Sequence, residues 1–410
     1  MAERKTFLFL QGHHSLFWVR LGDALKAAGH EVRKVRISGQ DIVFWPRRGA
    51  DLYNGSKAKW QGWLEAYMRR EGVTDVLYYA DRHPWNVDAL AAAKAVGARP
   101  WTMEFGYLRP DWLTLEPEAM GAFSRFPKDP AAIRALDPGE GPDPMSGETQ
   151  FPSTFFDEAQ ADVGMYASTV AFWWLFPHYR LDTRFDMFSH YYHWLRTLAT
   201  EARDERAARK VQAACEAPGA DYTLVAMQVP HDYQIRGSSP YDDYRDMIRE
   251  ILESMARAAP AGRRLVLKKH PLDQDYIGWK REVAAWVSEL GLEGRVDLIR
   301  GGDLGAMIDH AKGVIMANST VGMHCLRRGV PVLTLGEAVY DVPGLTHQDG
   351  IDSFWTNPAP VDRPFAAAFL RALAQEIQVK GSFFNRAGQA RAIDEVVERL
   401  TTRAYPGWAS

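Results

Sequence analysis

"GVIMANSTVGMHCLRRGVPVLTLG", residues 313 to 336, reads as a strand ("GVIMAN"), a helix ("STVGMHCLRRG") and a second strand ("PVLTLG"). Strands joined through a crossover helix lie parallel, because the helix returns the chain to the same end of the sheet. The alternation extends upstream through strand "DYTLVAMQV", helix "PYDDYRDMIREILESMARAA", strand "RRLVLKKH", helix "IGWKREVAAWVSELG", strand "RVDLIR" and helix "LGAMIDHA". The first half repeats the pattern. There "TFLFLQG", "EVRKVRI", "TDVLYYA" and "RPWTMEF" read as strands, separated by helices such as "SLFWVRLGDALKAAG", "SKAKWQGWLEAYMRREG" and "WNVDALAAAKAVG".

Such alternation predicts an α/β protein with parallel sheets. At 410 residues the chain is long enough for two cores. We expect an N-terminal Rossmann-like domain over 1–160, a helical connection over 161–216, a C-terminal Rossmann-like domain over 217–383, and a last helix in 384–410 that packs back on the first domain. Two such domains facing a cleft are GT-B-like. The stretch from Pro127 to Pro152 is rich in proline and glycine and reads as an irregular excursion.

Composition narrows the function. A net charge of −3, from 49 basic and 52 acidic residues, gives no global field for nucleic acid, so anion recognition must be local. Cys215 and Cys325 lie far apart without metal-type spacing and suit a reducing compartment. "MAERKTFLFLQG" carries too few apolar residues for a signal peptide, and no segment reaches spanning length. A cytoplasmic protein with at most peripheral membrane contact is expected. Aromatic residues make up 12 %, most of them for the core, with sugar stacking or an interfacial surface as the alternative uses.

In open α/β sheets ligands bind beyond the carboxyl ends of the strands. Lys268, Lys269 and His270 follow "RRLVL" and can hold an anion by charge-assisted hydrogen bonds, although lysines at strand ends are often merely solvated. Asn318, Ser319 and Thr320 open a helix whose N–H groups and hydroxyls suit a phosphate or carboxylate, and capping alone would also explain Ser319. Gln228 and Asp232 bracket a proline after the first strand of the second domain, with Arg236 as a further anion-binding candidate; Asp232 can equally be a turn residue. In "MEFGYLRPDWLTLE" Glu104 ends a strand and Gly106 permits the turn, while Arg109, Asp111 and Trp112 can lock the loop. Asp81 and Arg82 can hold an acceptor or form a structural ion pair. Two carboxylates, Glu104 and Asp232, opposed across a cleft would equip it for glycosyl transfer. There is no Walker loop, no G-x-G-x-x-G, no zinc spacing and no Asp-x-Asp tip, so no metal or other cofactor is expected. Asp242 and Asp243 read as dipole compensation at a helix start.

Several stretches in order, "FLQG", "EFGYLRPDWLTLE", the Gln-x-x-x-Asp of "QVPHD", the Lys-x-His-Pro of "KKHP", and "NSTVG" followed by "RRGVPVLTLGEAVYDVPGLTH", resemble the bacterial capsule polysaccharide biosynthesis and export family. Its members include β-Kdo transferases that start capsular glycolipid linkers. The resemblance implies a GT-B fold, a CMP-Kdo donor, and a lipid or Kdo-terminated acceptor at the inner face of the inner membrane, with capsule export machinery as a partner and no nucleic acid. It also implies that His270, Ser319 and Thr320 hold the CMP phosphate or the donor carboxylate, with Gln228, Lys268, Lys269, Asn318 and Arg236 beside them. Asp232 would be the nucleophile of a retaining double displacement and Glu104 the base. Gln11, Gly12, Asp81, Arg82, Gly106, Tyr107 and Arg109 would serve the acceptor, for which a phosphatidylglycerol-type lipid is preferred. Two stretches, "QGHHSLFW" and "PHYRLDTRFDMFSHYYHW", follow the family pattern less closely and bear on the acceptor. The competing functions are another GT-B glycosyltransferase, a sugar-nucleotide epimerase, or a non-catalytic capsule export or assembly factor.

Overall fold

β1 (Thr6–Phe9) is buried along Phe7, Leu8 and Phe9, and its apolar run pairs in parallel on both sides, with β2 (Glu31–Arg36) and β4 (Asp75–Tyr79). Strands buried on both faces need such continuous apolar runs. β3 (Asp51–Leu52) extends the parallel set beyond β2, and β5 (Arg99–Phe105) extends it beyond β4. A computed structural model describes residues 4–180, 187–230, 235 and 237–402, apart from the side chains at 155, 187–192, 194, 195 and 198.

The first sheet departs from the all-parallel expectation at one edge. β6 (Trp112–Pro117) runs antiparallel to β5, because only residues 106 to 111 connect them, too few for a crossover. Gly106 makes this return feasible: its N–H donates to Trp112 O at 2.8 Å, and an added Cβ would lie 2.4 Å from the same oxygen.

The second sheet contains β7 (Tyr222–Ala226), β8 (Arg264–Lys268), β9 (Val296–Ile299), β10 (Gly313–Met316) and β11 (Val332–Thr334), in the order β11-β10-β7-β8-β9, all parallel. β7 and β10 are buried at every residue, as central strands covered on both faces must be. The helix Tyr244–Ala258 packs Met247, Ile248, Ile251 and Met255 into this core, at helical spacing. It starts at Asp243, whose carboxylate accepts from the Arg245 N–H.

β12 (Gln378–Lys380) pairs antiparallel with β6, giving the first sheet the order β12-β6-β5-β4-β1-β2-β3. The helix Arg386–Thr402 then buries Ala392, Ile393, Val396 and Leu400 in the core that contains Phe7, Phe17 and Val19. The chain divides into two compact units: Met1–Phe126 with Pro142–Asp182 and Leu373–Ser410, and Pro127–Gly141 with Thr183–Ala372. The first holds the seven-stranded sheet and the second the five-stranded one. The α/β class with two Rossmann-like units is therefore what the structure displays.

Candidate functional site

In the second unit the carboxyl ends of β7 and β10 are tied together by one amide. Gln228 Nε2 donates to Asn318 Oδ1 at 3.0 Å, and the Asn318 N–H donates back to Gln228 Oε1 at 3.1 Å. The Gln228 N–H in turn donates to the Tyr244 hydroxyl at 2.9 Å. This fixes the start of the helix Val321–Arg328. Ser319 Oγ accepts from the Val321 N–H at 3.3 Å, and its carbonyl accepts from the Tyr340 hydroxyl at 2.6 Å. The N-cap residue is Thr320, which makes no side-chain cap bond, so the Ser319 hydroxyl takes the first helical N–H from one place before the cap. The first-turn N–H groups are taken within the chain, Val321 by Ser319 Oγ, Gly322 by Ser319 O and Met323 by Thr320 O, so an anion at this end would be met by the Ser319 and Thr320 hydroxyls and by the N–H groups of the loop before the helix.

The Lys-Lys-His segment at the end of β8 splits three ways. Lys268 Nζ donates to Gly301 O at 2.6 Å, and burial lowers its amine from the usual range against the opposing pull of Glu205 and Asp303. Lys269 is buried beside Asp275, at 3.3 Å, and lines a cavity of about 650 Å³ against β9 that also receives Arg196, Arg203, Lys280 and Arg300. His270 Nδ1 accepts from the Leu272 N–H at 3.1 Å, so the neutral imidazole carries its proton on Nε2. An Nε2–H donor is what a phosphate oxygen requires. Asp232 and Arg236 lie outside the described residues.

In the first unit Glu104 stands half-buried at the end of β5, bonded to the Tyr79 hydroxyl and accepting from the Phe105 N–H at 3.3 Å. Burial first, and then Glu104, push the Tyr79 phenol well above its usual value, so it remains a donor. Arg109 lies over the Phe105 ring, 5.1 Å from its centre, and donates weakly to Gly106 O at 3.4 Å. Asp81 and Arg82 face each other at 2.9 Å, Asp81 also accepts from the Met120 N–H, and Arg82 lies over Phe123. Burial raises the Asp81 carboxyl despite these bonds. The Tyr107 hydroxyl donates to buried Glu116 at 2.8 Å and receives the Gly121 N–H at 2.6 Å. Gln11, at the end of β1, is buried and donates to Ser38 Oγ at 3.0 Å and to the Tyr179 hydroxyl at 2.7 Å. Gly12 lies under Trp18, and a Cβ there would fall 1.0 Å from the indole.

Motif reading did not assign a role to His13. It is buried among Phe383, His14, Phe105, Tyr79 and Phe384, stacked on Phe383 with ring centres 4.5 Å apart. Both ring nitrogens are buried without a hydrogen-bond partner among the described residues, and burial, aided by His14, holds the imidazole neutral well below its usual pKa. His14 itself meets Asp162 at 2.9 Å. The signal is the histidine pair in "QGHHSLFW", but two of the rings that enclose it, Phe383 and Phe384, come from some 370 positions away.

The chain is 30 % identical over 381 residues to the capsule polysaccharide export protein KpsS of Escherichia coli, covering 93 % of this chain and 97 % of that one. It is 28 % identical over 394 residues to the capsule polysaccharide modification protein LipB of Neisseria meningitidis serogroup A, covering 94 % and 93 %. Among solved structures, the β-Kdo 2,7 transferase of Thermosulfurimonas dismutans KpsC aligns over 96 % of this chain and 99 % of that one, at 16 % identity and a TM-score of 0.43. The family model described as capsule polysaccharide biosynthesis protein matches residues 74–384, and the chain belongs to that family.

Proposed function

We propose that the protein is a glycosyltransferase of capsular polysaccharide synthesis that moves Kdo from CMP-Kdo to a lipid of the phosphatidylglycerol type or to a Kdo-terminated acceptor. The observation that carries this reading is the convergence at one end of the second sheet, where the Gln228–Asn318 pair anchors a helix start and the Leu272 N–H fixes the His270 ring through Nδ1. Family membership adds the capsule pathway.

In this reading the acceptor oxygen bonds to the anomeric carbon of the sugar acid. The bond from that carbon to the phosphate oxygen breaks, and its electron pair leaves with CMP. His270 and the N–H groups of Ser319 and Thr320 stabilise the departing charge, an interaction that strengthens as the bond breaks. The acceptor proton passes to Glu104, whose carboxylate is held by the Tyr79 hydroxyl. Asp232, outside the described residues, is the proposed nucleophile of a retaining double displacement: it displaces CMP first and is itself displaced by the acceptor. The protein would act at the inner face of the inner membrane.

The test is incubation of the purified protein with CMP-Kdo, generated in place, and a fluorescent lipid acceptor, with product stereochemistry read by NMR. Transfer with retained configuration is expected. Tight glycan binding without product would favour a non-catalytic assembly factor. A calorimetric preference for UDP over CMP would remove the Kdo donor.

A further inference from the structure

The helix Phe155–Ala171 presents an apolar stripe to solvent. Phe156, Val163 and Val170 are spaced by seven, which keeps them within about 40° of one another around the helix and spreads them over about 21 Å. Their exposures are 66, 52 and 58 %, and the stripe continues into Trp173 and Trp174, exposed by 68 and 63 %. The opposite side of the helix is occupied within its own unit. Asp162 meets His14, and Ser168 is buried with its carbonyl oxygen 2.1 Å from where a Cβ on Gly39 would stand. These side chains are thus left over after the core has been satisfied, and a group of large exposed apolar residues of this kind marks an interaction site.

Its chemistry selects the partner. Adjacent exposed indoles, each with an apolar body and one N–H donor, match the boundary between lipid tails and headgroups. Beside them a groove of about 270 Å³ runs along Val170, Trp173, Phe176 and Tyr179 to Arg180. The exposed Arg180 guanidinium is held by the carbonyls of Pro177 and Tyr179, at 2.8 and 3.0 Å, which sets a fixed cation at the apolar rim to meet an anionic headgroup. The groove wall at Tyr179 accepts the hydrogen bond of Gln11, a residue on the proposed acceptor side. Among the described residues no helix is long and apolar enough to cross a bilayer, so such a face would lie on the membrane and not through it.

We infer that this stripe and the Trp173–Trp174 pair dock the protein on the surface of an anionic lipid bilayer. The inference rests on the proposed lipid acceptor for its choice of partner. It is tested by vesicle flotation, using phosphatidylcholine with and without phosphatidylglycerol, on the full chain and on the variants W173S/W174S, V163E and, as an off-stripe control, Q61S. The wild type and Q61S float with the anionic vesicles. W173S/W174S and V163E lose binding by about tenfold or more, with circular dichroism and melting temperature unchanged. W173S/W174S retains transfer to a water-soluble short-chain acceptor and loses it toward vesicle-borne acceptor. A wild type that stays with the lipid-free fraction overturns the inference, as do variants that float like it. So does a stripe whose substitution alters only self-association in sedimentation. If the wild type transfers to neither acceptor yet floats through its tryptophans, the proposed transferase fails and the docking surface stands.

Discussion

Gln228 and Asn318 exchange two hydrogen bonds, side chain to side chain at 3.0 Å and backbone to side chain at 3.1 Å, across the ends of two neighbouring parallel strands. Gln228→Leu removes both and leaves the part-buried Asn318 N–H without this acceptor, a loss of about 1 kcal/mol. CMP affinity measured by calorimetry should fall by about tenfold, the equivalent of about 1.4 kcal/mol. Unchanged affinity alongside a lower melting temperature would reduce the pair to a structural brace.

His270→Ala deletes the Nε2–H donor. If that donor supports the departing phosphate, the rate of transfer should drop by about 10²–10³, with a far-UV spectrum like that of the wild type. Near-full activity in this variant would remove His270 from the reaction.

Glu104→Gln retains the size of the side chain and its bond from Tyr79 but can no longer accept the acceptor proton. We expect kcat to fall by about 10²–10⁴ while donor binding, measured with CMP, stays within about twofold of wild type. A parallel loss of CMP binding would point to a general structural defect.

Two buried groups make opposite contributions to the pH dependence of stability. Burial lifts the Glu116 carboxyl from 4.5 to about 8, even though Ser124 and Tyr107 hold it. The native state keeps a proton there that the unfolded chain releases, so stability falls as pH rises from 4.5 to about 8. Glu116→Gln should flatten that slope, with its advantage over wild type reaching a few kcal/mol at the alkaline end. His13 acts in the other direction: the unfolded chain takes up a proton below 6.5 that the buried ring resists, so stability falls as pH drops beneath that value. His13→Phe should remove this acid-side loss. Melting temperatures across the pH range check both.

The strands of both sheets that carry long apolar runs were legible, because burial on both faces leaves little other choice of residue. β12 was not, since Gln378–Lys380 has one apolar residue and owes its place to pairing with β6. The reversal at β6 was hidden for a similar reason: "DWLTLE" alternates as a strand should, but its direction depends on the length of the turn before it. At the candidate site Gln228, His270 and Ser319 could be picked from their positions after strands, whereas the split among Lys268, Lys269 and His270 is a matter of side-chain direction. The enclosure of His13 depends on Phe383 and Phe384, which only the completed fold brings near.

Gly12 lies so close beneath the indole of Trp18 that a methyl group cannot be added without displacing the ring. The two positions therefore form a unit of inheritance: a natural variant with any larger residue at 12 must also have lost or moved the aromatic group six places on, and with it the edge-to-face contact between Trp18 and Phe9. That coupled change is a signature to look for when newly sequenced chains are sorted into those that retain this first turn and those that have rebuilt it.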